Sequence, residues 1–269
     1  MRAFLTNYQR KEQDPANLNQ LDGNLITSTR GQFDEWAGVS SADLTAEELK
    51  PVRQRFHRYL AESANELKII KLHDAYCANE DEYSLYSGNS DSRVLYLVRN
   101  PLDVTVSYAH HENVSIAKII KRLNCNNFVI ASQQRRVSPQ FPQPLGSWSH
   151  HARSWTEKST LITHVVRYED MIERPLETFT GVLDFIGLAV ITEQVDHAIA
   201  GSQFSHLQAL ESSNGFVEKP PDAESFFRQG KIGDWRNALS PEQVKNIITD
   251  HGDMMRQFGY LTADGELTV

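Results

Sequence analysis

The chain has 269 residues, 40% hydrophobic and 23% charged, a globular composition with enough length for a sizeable core. A formal net charge of −8 argues against a general nucleic-acid or membrane surface, but not against a local basic pocket, because a few focused charges outweigh the net sign at close range. Cys77 and Cys125 are the two cysteines; they make no metal spacing or disulfide framework, no apolar run approaches the ~20 residues of a membrane span, and the first residues lack a signal-peptide core, so a cytoplasmic protein is expected.

Met1, Phe4, Leu5 and Tyr8 repeat at helical spacing. Residues 12–40 read as irregular, with Pro15, Gly23, Gly31 and Gly38 as breakers. Thr45 with Glu48 forms a capping box for a helix to about Ala64, bent or restarted at Pro51. Leu67–Leu72, Arg93–Val98 and Leu161–Arg167 read as buried strands, each short and aliphatic. The second is followed by Asn100 as an N-cap, Pro101 at the first helical position and Asp103 near the positive helix end. A helix from Pro175 carries Leu176, Phe179, Val182, Leu183 and Ile186 on one face and stops at Gly187. Ser240-Pro241-Glu242-Gln243 opens another that closes at Gly259.

There is no internal repeat or low-complexity segment, so one domain over residues 1–269 is expected. Strands alternating with helices imply an α/β protein, a parallel sheet with helices on both faces. Ligands in such folds bind beyond the carboxyl ends of the strands. The polar residues there are Lys71 and His73, Arg99, and Tyr168.

Arg99 at a strand exit presents a guanidinium that can fork onto a phosphate, and Ser107 shares a helix face with Asn100 and Asp103. The alternative is an arginine paired with Asp103 and a serine bonded back to its own helix; local chemistry leaves the two even. Arg228-Gln229-Gly230 through Trp235 has the glycines and basic residues of an anion-wrapping loop, or of an ordinary surface turn. Lys71 and His73 point the same way in an extended segment, so an ammonium and an imidazole would face one ligand; spacing alone favours a core histidine bonded to a carbonyl. His110-His111 and His150-His151 are adjacent on helices, where side chains diverge by ~100°, so no metal is expected.

Together these segments resemble the cytosolic-type sulfotransferases that use 3′-phosphoadenosine 5′-phosphosulfate. Arg99-Asn100-Pro101 through Ser107 is similar to that family's R-N-P-x-D-x-x-x-S, and Arg228-Gln229-Gly230 through Trp235 to its R-K-G-x-x-G-D-W. Lys71-Leu72-His73 resembles K-T-H, Tyr168-Glu169-Asp170-Met171 matches Y-E-D-M, and Ser202-Gln203-Phe204 resembles a segment near the nucleotide. Gly146-Ser147-Trp148 with His151 and Trp155 also fits. Gln229 replaces the usual lysine and Leu72 the usual threonine.

The resemblance implies a fold related to the nucleoside kinases and sulfuryl transfer to a hydroxyl or amine of a small-molecule acceptor. It implies His73 as general base and Lys71 as stabiliser of the transferring group. It implies Arg99, Ser107 and Arg228 at the 3′-phosphate, Tyr168 beside the adenine, and Ser202, Phe204, Gln229 and Gly230 among the nucleotide-binding residues. Arg99, Ser107 and Arg228 should share one phosphate. The family's opening strand and Y-P-K-S-G-T-T-W-like loop have no counterpart, since residues 2–5 resemble the helix that follows that loop. The domain is therefore expected to be N-terminally incomplete and impaired, or a non-catalytic nucleotide-binding module. A nucleotide kinase is disfavoured because G-x-x-x-x-G-K-[ST] is missing. The acceptor is unreadable; residues 15–44, 112–145 and 205–226 are the segments expected to frame it.

Overall fold

The computed structural model describes residues 1–10, 17–21, 27–76, 86, 89–132, 138–219 and 223–269. In chain order the elements are α1 (Arg2–Arg10), α2 (Arg30–Ala37), α3 (Ala46–Glu62), β1 (Arg93–Val98), α4 (Pro101–His111) and α5 (Ile116–Leu123). Next come β2 (Val129–Ile130), β3 (Gln143–Pro144), α6 (Trp148–Thr156), β4 (Ile162–Arg167), α7 (Tyr168–Glu173) and α8 (Pro175–Ile186). The chain closes with α9 (Thr192–Gly201), α10 (Phe204–Asn214), α11 (Trp235–Ala238) and α12 (Pro241–Gln257). β1 and β4 form a two-stranded parallel sheet, and β2 pairs antiparallel with β3.

Local chemistry explains many of the boundaries. The Thr45 capping box opens α3, which continues through Pro51 as one helix. Asn100 caps α4 by accepting from the Leu102 N–H, and Ser240 with Gln243 makes the capping box of α12. Gly187, at φ 77°, ends α8 in the left-handed region where glycine is unstrained.

Two expectations are corrected. Leu67–Leu72 forms no strand. A strand exists through a neighbour's ladder, and here the described bond is a long one, Thr27 N–H to the Lys71 carbonyl at 3.4 Å. The stretch expected to be irregular holds α2, whose Phe33 is buried edge-on to Phe56 and Phe141. Tertiary packing of aromatic rings there overrides a glycine-rich local sequence; Gly38 does act as the stop, at φ 69°.

The chain divides into two compact units, and two of the four divisions fall inside β1, at Tyr96/Leu97, and inside β4, at Thr163/His164. The first comprises Met1–Asp22, Leu97–Asn124 and His164–Val269. In it α1 packs on α9, and Phe4 stacks on Phe179 of α8 with ring centres 4.1 Å apart. α4 packs on α5, α11 and α12, which fixes the helix that follows β1. The second comprises Gly23–Tyr96 and Cys125–Thr163. Its core is Phe33, Leu49, Phe56, Leu60 and Phe141. The Arg30 and Arg53 guanidiniums lie 4.7 and 5.0 Å from the Phe141 ring centre. Arg53 pairs with buried Asp74 at 3.4 Å, and the Tyr86 hydroxyl donates to the same carboxylate at 2.7 Å. Burial first, then the Asp74 charge, pushes the Tyr86 phenol well up.

Candidate functional site

In the first unit the strand exits and the loop before α11 meet around one carboxylate. Asp103, in the first turn of α4, is 1% exposed. It accepts the Gly233 N–H at 2.8 Å and the Trp235 N–H at 3.1 Å. Arg99 lies 3.7 Å from the same carboxylate and donates to the Lys231 carbonyl at 2.9 Å. Its guanidinium also covers the Tyr168 ring, 4.4 Å from the centre. The residues leaving β1 and β4 are thereby brought together, with the loop against Arg99. Burial raises the Tyr168 phenol above its ordinary pKa, and Arg99 partly offsets this.

A second buried carboxylate also holds the start of α4. Glu169, fully buried, accepts the Asn100 N–H at 3.0 Å and the Tyr260 hydroxyl at 2.8 Å. It ties the start of α4 to the start of α7 and to the chain after α12. Such charge-assisted bonds are about twice as strong as neutral ones.

The loop itself is stapled at its entrance. Glu211 of α10 accepts the N–H groups of Phe226 and Phe227 at 2.7 and 2.9 Å, and Gln208 donates to the Phe227 carbonyl at 2.9 Å. Arg228 pairs with Asp234. With its amide nitrogen toward Asp234, Gln229 donates to that carboxylate at 3.1 Å and accepts from Arg228 at 3.1 Å. Gly230 has φ +62°, and a Cβ there would come within 2.4 Å of the Phe204 ring, so the backbone approaches that ring as only glycine allows. Ser107 is exposed on α4. Ser202 bonds back to its own helix, donating to the Ala198 carbonyl at 2.7 Å.

The second unit holds Lys71 and His73, both half-buried, outside any helix or named strand. Gln143 of β3 places Oε1 at 2.9 Å from His73 Nδ1. His151 of α6 places Nε2 at 3.0 Å from the His73 carbonyl, and the Tyr96 hydroxyl sits 3.0 Å from His151 Nδ1. Burial lowers the His151 imidazole to about 4. The predicted groups therefore fall into two sets: Arg99, Ser107, Tyr168, Ser202, Phe204, Arg228, Gln229 and Gly230 in one unit, Lys71 and His73 in the other.

Sequence reasoning placed Asp103 only as a helix-end charge or a partner of Arg99. Its grip on Gly233 and Trp235 spans about 130 positions, and the shared occurrence of the two motifs was its one signal. Glu169 lies in the Tyr168–Met171 motif but had no role read from it, and Gln208, Glu211 and Gln143 had no such signal. Among the described residues, no three His, Cys, Asp or Glu side chains cluster as a metal site. No described helix is long and apolar enough to cross a membrane.

Comparison with known proteins gives one consistent result. Residues 53–259 match the family described as Sulfotransferase domain. Sulfotransferase 1A1 of Canis lupus familiaris is 29% identical over 176 residues, covering 62% of this chain and 56% of that protein. Flavonol 3-sulfotransferase of Flaveria bidentis is 27% identical, covering 59% and 53%. The chain thus spans about half the length of the curated relatives it matches. Among solved structures, mouse sulfotransferase SULT7A1 complexed with PAP superposes with a TM-score of 0.53 at 20% identity, covering 72% of this chain and 68% of that one. Retinol dehydratase in complex with androsterone and inactive cofactor PAP gives 0.51 at 20%, covering 76% and 56%. The α/β fold is shared with these enzymes, and with the domain match running from Arg53 to Gly259, through both motifs that meet at Asp103, the chain belongs to the sulfotransferase family.

Proposed function

We propose that this protein moves a sulfuryl group from 3′-phosphoadenosine 5′-phosphosulfate to a hydroxyl or amine of a small-molecule acceptor. The observation that carries the reading is the docking of the loop onto Asp103, with Arg99 bonded to that loop and covering Tyr168. The donor site fits an anion. Among the described residues, Arg99 Nε is a buried donor without an acceptor, as is the indole Nε1 of Trp235, whose backbone N–H is bonded to Asp103. In this reading Arg99, Ser107 and Arg228, with Gln229 and Gly230, hold the 3′-phosphate, while Tyr168, Ser202 and Phe204 border the adenosine. Phe204 packed on Gly230 supports that border.

When bound, the nucleotide supplies a sulfuryl group on a phosphate leaving group. As sulfur binds the acceptor oxygen or nitrogen, its bond to the bridging phosphate oxygen breaks, and that oxygen keeps the electron pair. His73 takes the acceptor's proton, and Lys71 balances charge on the group in flight. Catalysis of this kind rests on alignment and charge stabilisation. We read residues 1–269 as belonging to a single sulfotransferase domain that works without a metal, in a reducing cytoplasm, consistent with two cysteines.

Calorimetry with adenosine 3′,5′-bisphosphate and labelled-sulfate transfer to a panel of phenols, alcohols and amines test this. Binding should weaken by roughly 10–100-fold in Arg99→Gln or Arg228→Ala, the worth of a charge-assisted contact. No binding would overturn the reading. Binding with no transfer to any acceptor would mean a non-catalytic nucleotide-binding module.

A further inference from the structure

We infer that Gln143 is a positioning residue that holds His73 in the tautomer protonated on Nδ1, so that Nε2 is the nitrogen that takes the acceptor's proton, with His151 bracing the His73 backbone behind it. This rests on the reading of His73 as the base and goes beyond it by naming the atom and the residues that set it.

Gln143 has one acceptor and one donor end. Its Nε2 donates to Gln140 Oε1 at 3.0 Å. The oxygen is then the end that faces His73, at 2.9 Å from Nδ1. A carbonyl oxygen only accepts, so Nδ1 carries the hydrogen and the lone pair of the ring lies on Nε2. Gln143 is fully buried, and in β3 it stands opposite Ile130 in the ladder with β2. Its side chain has no solvent to turn to, and reversing the amide would set its oxygen against Gln140 Oε1, two acceptors face to face.

The same logic orders the second histidine. The His73 carbonyl only accepts, so His151 Nε2 carries a hydrogen and donates to it at 3.0 Å. His151 Nδ1 is then an acceptor, and the Tyr96 hydroxyl donates to it at 3.0 Å. Burial keeps both groups in the required state, raising the Tyr96 phenol and lowering His151 to about 4. A chain of neutral hydrogen bonds thus runs from Tyr96 through His151 to the His73 carbonyl. Gln140 and Gln143 fix the ring of the same residue from β3 and the chain before it.

The test is long-range ¹⁵N–¹H spectroscopy on the full chain labelled with ¹⁵N-histidine, at a pH where His73 is neutral. His73 should show a pyrrole-type Nδ1 and a pyridine-type Nε2. Gln143→Leu should lose that pattern and lower kcat by roughly 10–100-fold, the usual size for outer-shell partners, with a smaller change in KM. Gln143→Glu keeps an acceptor oxygen and should keep the pyrrole-type Nδ1, which decides the matter if the leucine variant fails to fold. A pyridine-type Nδ1 in the unaltered protein would overturn the inference, even if His73→Ala is inactive. Full transfer in His73→Ala would remove the base reading by itself, whatever the tautomer.

Discussion

Around Asp103 and Glu169, backbone and phenolic donors gather on buried carboxylates. Around His73 the partners described are an amide oxygen on the ring and an imidazole on the carbonyl. In the proposed function the contrast has a physical reason. A region that receives a phosphate gains from rigid, charge-anchored loops whose N–H groups are already organised. A base that must accept a proton gains nothing from a carboxylate beside it, which would favour the imidazolium before the acceptor arrives. A glutamine orients the ring without that bias.

The largest effect expected is in the region around His73. His73→Ala should cut transfer by roughly 10²–10⁴-fold, while bisphosphate affinity measured by calorimetry stays within about twofold. A parallel loss of nucleotide affinity would erase the distinction between the regions.

Asp103→Ala attacks the charged region. It strips the acceptor from two backbone N–H groups and leaves Arg99 without its carboxylate. Urea unfolding should show a loss of about 3–4 kcal/mol, together with weaker bisphosphate binding. A loss below about 1 kcal/mol would mean the loop is held by something else.

Gly230→Ala tests the backbone approach rather than a charge. The added Cβ meets the Phe204 ring at 2.4 Å with φ at +62°. The expected cost is about 2–3 kcal/mol, read by denaturation. Phe204→Ala in the same chain should recover the steric part and leave the conformational part.

Acid should weaken both regions alike. Burial lowers His151 in one unit and His251 in the other from 6.5 to about 4. The folded protein then binds fewer protons than the unfolded chain between those values, so stability is fully present above pH 6.5 and falls as pH drops toward 4. At pH 5 the loss is about 2 kcal/mol for each histidine. His151→Phe should flatten half of that slope in urea titrations run between pH 7 and pH 5; an unchanged slope would show that His151 is not held neutral.

Ser107→Ala carries the smallest effect, about 1 kcal/mol of bisphosphate binding with unfolding unchanged, since the hydroxyl is on an exposed face of α4. An unaltered Kd would remove Ser107 from the phosphate contacts.

Residues 93–98 and 100–101 were legible because their signals are local: a short aliphatic run, then a cap and a proline at N1. So were the capping boxes at Thr45 and Ser240 and the stop at Gly187, each set by side chains within a few positions. Helix α5 had the same kind of signal, Ser115 as cap and Ile119, Ile120 and Leu123 on the buried face, and was readable in principle. The two nucleotide motifs, and with them the family, were also legible, because chemistry that wraps an anion needs particular residues at fixed spacing. Tertiary structure alone decided the rest. Leu67–Leu72 has strand-forming side chains but no described ladder, and α2 forms among glycines because Phe33 finds Phe56 and Phe141. The anchors of the site act across distances no local pattern reports: Gly233 and Trp235 lie about 130 positions from Asp103, and Gln143 lies 70 from His73. A buried carboxylate or amide is specified by the partners that surround it, and those partners meet only when the chain has folded.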